Sequence, residues 1–293
     1  MGDVMARIAL ALLMPLAGIG VSVQPTSSYD VQFPQQPRLA LQAKAPDNFS
    51  LAAKSAELLD LQSGVVIYEK NAQEPVPMAS LTKLMTAYVI MQRHELTEVV
   101  PVGPAVSTIG GDSQRLSIKE GERFTVSEML KGLLIYSAND VAVALASWDA
   151  GNEQKFVETM NDQAKKLGMK QTQFANASGL DAPGHVSSAH DLLLLSRIML
   201  TSPTIKSIVK QSTATMTSMT GKAYLLTTTN QLLNRDMAVK GLKTGYTIAA
   251  GECLIAYIVK DGRELISIVL GSPNRFQETE NLVNLSTTRI QAL

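Results

Sequence analysis

At 293 residues with 45% hydrophobic side chains, the chain carries enough apolar surface for a sizeable core, which excludes a disordered protein. Its 26 Lys and Arg balance its 26 Asp and Glu, so there is no cationic surplus to hold a nucleic-acid backbone and no nucleic-acid partner is expected. The single cysteine, Cys253, excludes an intramolecular disulfide and reads as a buried thiol; no His/Cys cluster has metal-ligand spacing, and neither metal nor cofactor is expected.

Residues 8–23 form an apolar run after Arg7, broken only by small residues and Pro15. This is the layout of an export signal or of a retained N-terminal anchor, and residues 1–23 are assigned to one or the other. Residues 24–48, rich in Pro, Gln, Ser and Ala, read as a linker, which leaves 49–293 for the folded domain. Apolar runs at 55–61 and 65–68 flank Ser63-Gly64 and predict a β-hairpin. Helical spacing over 81–91, with Pro77 just upstream, puts Ser80 at the start of a buried helix. Further helices are predicted over 126–134, opened by the capping-box pattern Thr125-x-x-Glu128, over 140–148, over 153–167 with Gly168 as the stop, and over 189–200. Strands follow at 241–247, 253–259 and 265–270, the last two joined at Asp261-Gly262, and a helix over 276–290 closes the chain. The pattern predicts an α+β fold: an antiparallel sheet built from N- and C-terminal strands, covered by helices, with a mostly helical middle.

The chain has no G-x-S-x-G elbow, no H-E-x-x-H pair and no phosphate-binding glycine loop. His94, His185 and His190 sit at a helix end, in a loop and at a helix start, and read as surface or capping residues, so a Ser-His-Asp mechanism has no support. What remains is a serine whose base would be a lysine: Ser80-Leu81-Thr82-Lys83, then Ser137-Ala138-Asn139, then Lys243-Thr244-Gly245. Each fragment alone is weak, since Ser207-Ile208-Val209-Lys210 and Ser272-Pro273-Asn274 repeat two of them. Order and separation make the set specific. Positions i and i+3 share a helix face, so Lys83 can reach Ser80. A lysine with an ordinary pKa is protonated and cannot act as a base, but burial and the positive charge of Lys243 would favour the neutral amine. Ser137 is suited to relay a proton to the leaving amine, and Asn139 to hold a substrate carbonyl and fix Lys83. The third fragment has strand character, with Gly245 allowing close backbone approach, so a peptide could lie alongside it while Lys243 and Thr244 receive its C-terminal carboxylate.

The ordered set is the signature shared by penicillin-binding proteins and class A β-lactamases. The wording around it, Pro77-Met78-Ala79-Ser80-Leu81-Thr82-Lys83-Leu84-Met85-Thr86 and Gly241-Leu242-Lys243-Thr244-Gly245-Tyr246-Thr247, with similar stretches at 174–180, 187–191 and 261–266, resembles the low-molecular-mass penicillin-binding proteins. These are the D-alanyl-D-alanine carboxypeptidases and related D,D-endopeptidases of serine peptidase family S11. The resemblance implies Ser80 as nucleophile, Lys83 as base, Ser137 and Asn139 as the second motif, and Lys243 as substrate binder. It also implies an oxyanion hole from the backbone N–H groups of Ser80 and Tyr246, a peptidoglycan peptide as substrate, covalent binding of β-lactams at Ser80, and action outside the cytoplasmic membrane. Larger members carry an all-β C-terminal domain and an amphipathic anchor; neither is expected here, so any membrane contact would come from the N-terminal segment. Carboxypeptidase action leads, with cross-link endopeptidase next. A class A β-lactamase would need a deacylating glutamate between the second and third motifs, and none occurs between Thr159 and Gly251. A non-catalytic penicillin sensor or wall-binding module would have no use for the lysine base.

Overall fold

The computed structural model describes residues 49–290 apart from 111–112 and 236–237; the signal or anchor at 1–23 and the linker at 24–48 lie outside the described residues. Strands β1 (Ser55–Asp60) and β2 (Val66–Lys70) open the domain as the predicted hairpin. A 3-10 turn, Ala79–Thr82, leads into α1 (Lys83–Arg93). Two short strands, β3 (Val99–Pro101) and β4 (Arg123–Thr125), precede the helical middle. That middle comprises α2 (Val126–Lys131), α3 (Asn139–Ala150), α4 (Glu153–Lys166), α5 (Ala189–Met199) and α6 (Pro203–Val209). A second hairpin, β5 (Thr213–Thr217) and β6 (Ala223–Thr227), is followed by β7 (Val239–Thr247), β8 (Gly251–Lys260), β9 (Arg263–Ser272) and α7 (Arg275–Ile290).

Five strands form one antiparallel sheet in the order β2-β1-β9-β8-β7, so the first strand pairs with the last, Ser55 opposite Leu270. The expected α+β architecture is therefore the observed one. Side chains alternate across the sheet. On β8, Cys253, Ile255 and Tyr257 enter the larger core shared with α1, α3 and α5, while Leu254, Ala256 and Ile258 enter a second core against α7. Burial on both faces explains why β8 and β9 read as nearly continuous apolar runs. The entering chain is tied down by Glu278 on α7, whose carboxylate accepts from the backbone N–H groups of Ala52 and Ala53 and from Ser272 Oγ.

Three local expectations need correction. The helix predicted over 126–134 keeps α geometry only to Lys131, and residues Gly132–Tyr136 widen into a π-type turn. Gly132 suits that turn because a Cβ there would lie 2.8 Å from Met216 Sδ. The capping box is half made: Thr125 Oγ1 accepts from Glu128 N, but the Glu128 carboxylate turns to Lys131 and to Thr217 N, tying α2 to the second hairpin. His185 is not a surface residue. It is 4% exposed, in the loop behind α1.

Candidate active site

The site grows out of the turn between the hairpin and α1. Ser80 lies within the 3-10 turn and Lys83 is the first residue of α1. A 3-10 turn eclipses side chains three apart, bringing them closer than the α-helical spacing expected from sequence. Lys83 Nζ stands 2.8 Å from Ser80 Oγ. Its other neighbours are acceptors only: Asn139 Oδ1 at 2.7 Å and the Ser178 carbonyl at 2.5 Å. A neutral amine has two N–H groups and one lone pair. As placed, Nζ donates to Ser80 Oγ, Asn139 Oδ1 and the Ser178 carbonyl, and Ser80 Oγ lies 3.4 Å from the same Ser178 carbonyl; once the amine is neutral, Asn139 and Ser178 can keep its two N–H groups and its lone pair would face Ser80. Lys83 is fully buried, and its pKa is held well below the ordinary lysine value, first by desolvation and then by repulsion from Lys243, with Asp140 pulling weakly the other way.

The second motif links the two lysines. Asn139, at the start of α3, holds Lys83, while Ser137 Oγ accepts from Lys243 Nζ at 2.8 Å. Ser137 reaches this place because it adopts a left-handed conformation, φ +66, at the end of the π-type turn. Such a backbone costs about 1–3 kcal/mol in a non-glycine residue. Asp140 accepts from Leu116 N and Ile118 N, and Asn139 N donates to the Gln114 carbonyl, so the loop at 114–118 is fastened beside the motif.

The third motif lies on β7, which pairs with β8 on one side and ends the sheet on the other. Gly245 faces the nucleophile's turn: a Cβ there would lie 3.1 Å from Ser80 N and 3.0 Å from Ala79 Cβ. Lys243 is buried, donates to Ser137 and to the Thr244 carbonyl, and has its pKa lowered to about 7, mainly by desolvation and then by the charge of Arg275. Thr244 Oγ1 hydrogen-bonds Thr229 Oγ1. Tyr246 is 62% exposed.

The fold thus brings Ser80, Lys83, Ser137, Asn139 and Lys243 into one cluster and sets Gly245 against the Ser80 turn; Thr244 and Tyr246 flank Gly245 on β7, Thr244 hydrogen-bonded to Thr229 and Tyr246 exposed. The repeated fragments are elsewhere: Ser207 and Lys210 are solvent-exposed around α6, and Ser272 serves the Glu278 clamp. Two contributors were missed. Ser178 acts through its carbonyl, which has no side-chain signature. Arg275, at the start of α7, donates from Nη1 to the Gly245 carbonyl at 2.7 Å, and its buried Nε has no partner among the described residues. No spacing rule connects it to Lys243.

A half-buried serine hydrogen-bonded to a buried lysine, beside an edge strand and a second buried lysine, is the equipment of acyl transfer to serine. The D-alanyl-D-alanine carboxypeptidase family of peptidase S11 matches residues 40–274, and the chain belongs to that family. It is 37% identical to the D-alanyl-D-alanine carboxypeptidase DacF of Bacillus subtilis over 225 residues, 75% of this chain and 57% of that protein. To DacC of Escherichia coli it is 37% identical over 247 residues, 80% of this chain and 61% of that one. It spans about three fifths of the length of these curated relatives. Among solved structures it resembles penicillin-binding protein 6B of Escherichia coli, with 35% identity, a TM-score of 0.74, and 83% and 80% of the two chains covered. It also resembles penicillin-binding protein D2 of Listeria monocytogenes in its ampicillin-bound form, with 34% identity, a TM-score of 0.70, and 82% and 99% covered. The fold is the penicillin-binding, transpeptidase-like one.

Proposed function

We propose that this chain is a serine D-Ala-D-Ala carboxypeptidase that trims peptidoglycan stem peptides through an acyl-serine intermediate. The observation that carries the reading is the buried Lys83 amine, 2.8 Å from Ser80 Oγ, held by Asn139 Oδ1 and the Ser178 carbonyl, with its pKa well below the ordinary lysine value.

In this reading the peptide adds along the free edge of β7. Its terminal carboxylate is received by Lys243 and Thr244, with Arg275 as a second cation close by. Lys83 takes the Ser80 proton as Oγ attacks the carbonyl of the terminal D-Ala–D-Ala bond. The charge that develops on the carbonyl oxygen is met by the N–H groups of Ser80 and Tyr246. The C–N bond then breaks, and the leaving amine takes a proton passed from Lys83, with Ser137 as relay to the Lys243 side. Water hydrolyses the acyl-serine and restores the hydroxyl. A β-lactam acylates the same serine. Because the substrate lies outside the cytoplasmic membrane, we assign residues 1–23 to export or anchoring. Among the described residues no single helix is long and apolar enough to cross a membrane.

The test is to incubate the protein with a fluorescent penicillin, beside Ser80→Ala, and to follow the covalent mass and the release of D-Ala from a D-Ala-D-Ala-ended pentapeptide. Label on the parent alone, with D-Ala release, supports the reading. Rapid turnover of the penicillin without persistent label would replace it with a β-lactamase, and absence of both reactions with a binding module.

A further inference from the structure

The peptide between Ala79 and Ser80 is gripped from both sides by groups that take no part in the chemistry above. Ala79 is a buried non-glycine residue at φ +50, and its carbonyl accepts from Thr82 Oγ1 at 2.8 Å. Thr82 Oγ1 in turn stands 2.7 Å from His185 Nε2, while His185 Nδ1 accepts from the Ala175 backbone N–H at 2.8 Å. The protons in this chain have one arrangement. A backbone amide can only donate, so Nδ1 is bare and the neutral ring carries its proton on Nε2. That N–H donates to Thr82, whose only hydroxyl proton goes to the Ala79 carbonyl. On the opposite side Gly179, at φ +89, comes so close that a Cβ would lie 2.1 Å from Ala79 O and 2.8 Å from Ser80 N.

In a planar trans peptide the C=O and N–H point in opposite directions, so holding the Ala79 carbonyl fixes the direction of the Ser80 N–H. We infer that His185, acting through Thr82, is a positioning residue for acylation: it aims and polarises the Ala79–Ser80 amide as a donor to the oxyanion. The inference rests on the acyl-serine reading. A hydrogen bond accepted by an amide carbonyl draws electron density from its nitrogen and strengthens the N–H as a donor, where negative charge develops in the transition state. The ring is kept neutral by its surroundings. Desolvation lowers its pKa to about 4, against the pull of Asp181 on its own loop and with help from the Lys83 side of α1. Phe174 meets the ring edge-on. Protonation would set a second N–H on Nδ1 against that of Ala175.

The experiment compares the parent with His185→Leu, Thr82→Val and His185→Gln. Labelling by fluorescent penicillin across a concentration series separates non-covalent affinity from the acylation rate constant, and thermal midpoints are recorded alongside. His185→Leu and Thr82→Val are expected to slow acylation about tenfold or more, short of the loss from deleting an oxyanion donor outright, with affinity little changed. Glutamine can bring an N–H to the same place and should restore most of the rate. The imidazole 15N spectrum of the parent at neutral pH should show the Nε2–H tautomer. Variants that acylate at the parental rate, even with lowered midpoints, would reduce His185 to a structural residue, and an Nδ1–H tautomer would overturn the relay directly. If His185→Leu does not fold, Thr82→Val exchanges a single hydroxyl for a methyl and decides the matter. An unlabelled parent defeats the acyl-serine reading itself, whereas a labelled parent matched by Thr82→Val defeats only the relay.

Discussion

Lys83 and Lys243 are both buried in the site, and burial makes the charge of each harder to keep, with Lys243 adding to the effect on Lys83 and Arg275 to that on Lys243. The pKa of Lys83 is depressed well below the ordinary value; Lys243 is lowered to about 7. Burial and Lys243 thus favour the base form of Lys83, while the cationic form of Lys243, needed for a terminal carboxylate, is lost as pH rises through about 7. For a peptide with a free carboxylate, kcat/KM of the parent should fall on the alkaline side from near that pH, since this parameter reports the free enzyme. In Lys243→Arg the same limb should move far upward, because guanidinium stays protonated. Identical limbs in both proteins would show that another group sets the alkaline fall. Gly179 makes a second residue-scale prediction. With a Cβ 2.1 Å from Ala79 O and a backbone at φ +89, Gly179→Ala should cost roughly 3 kcal/mol of unfolding free energy and lower acylation by displacing Ser80. Chemical denaturation and penicillin labelling read the two effects separately.

The second hairpin, β5–β6, connects through Thr228 and Thr229 to the strand that carries Lys243, and Glu128 on α2 fastens it at Thr217 N. Removing that carboxylate in Glu128→Ala should weaken a charge-assisted hydrogen bond worth about 1.5 kcal/mol. Amide exchange over 213–227 should then quicken roughly tenfold while β8 and β9 keep their protection; uniform quickening would mean that Glu128 supports the whole domain. This hairpin, the short α6 before it and the three-residue strands β3 and β4 are elements that the sequence pattern did not disclose. In β5, Thr213, Thr215 and Thr217 are exposed and only Met216 is fully buried, so there is no apolar run to mark a strand. By contrast, β8, β9 and the Asp261-Gly262 turn were legible because burial on both faces enriches strands in apolar residues and the turn demands φ above zero at both positions. Ser80, Lys83, Ser137, Asn139 and Lys243 were legible for a different reason: their polar side chains bond one another, at an order and spacing that chemistry restricts. Ser178 contributes a carbonyl and Arg275 arrives from a distant helix, so neither leaves a local pattern. His185 was misread because loop residues are usually exposed, and nothing in its neighbourhood announces that Thr82 and Ala175 enclose it.

Across the whole molecule, His185 also couples stability to pH. Its folded pKa of about 4 lies below the ordinary 6.5, so between these values the unfolded chain binds the extra proton. Its contribution is complete above pH 6.5 and declines as pH falls towards 4, by about 3 kcal/mol in all. Urea unfolding of parent and His185→Gln should therefore diverge in slope against pH across that window, and parallel curves would place the titrating group elsewhere. The sheet order has a consequence in time as well as in space. β1 is among the first elements to leave the ribosome, yet its central partner is β9, some two hundred residues later, with Ser55 opposite Leu270. Until that partner emerges, β1 can pair only with its hairpin neighbour β2, and an isolated two-stranded hairpin is marginal in water. The sheet thus stays incomplete through nearly the whole synthesis, and it closes only when the last strand has slid between the first and the eighth.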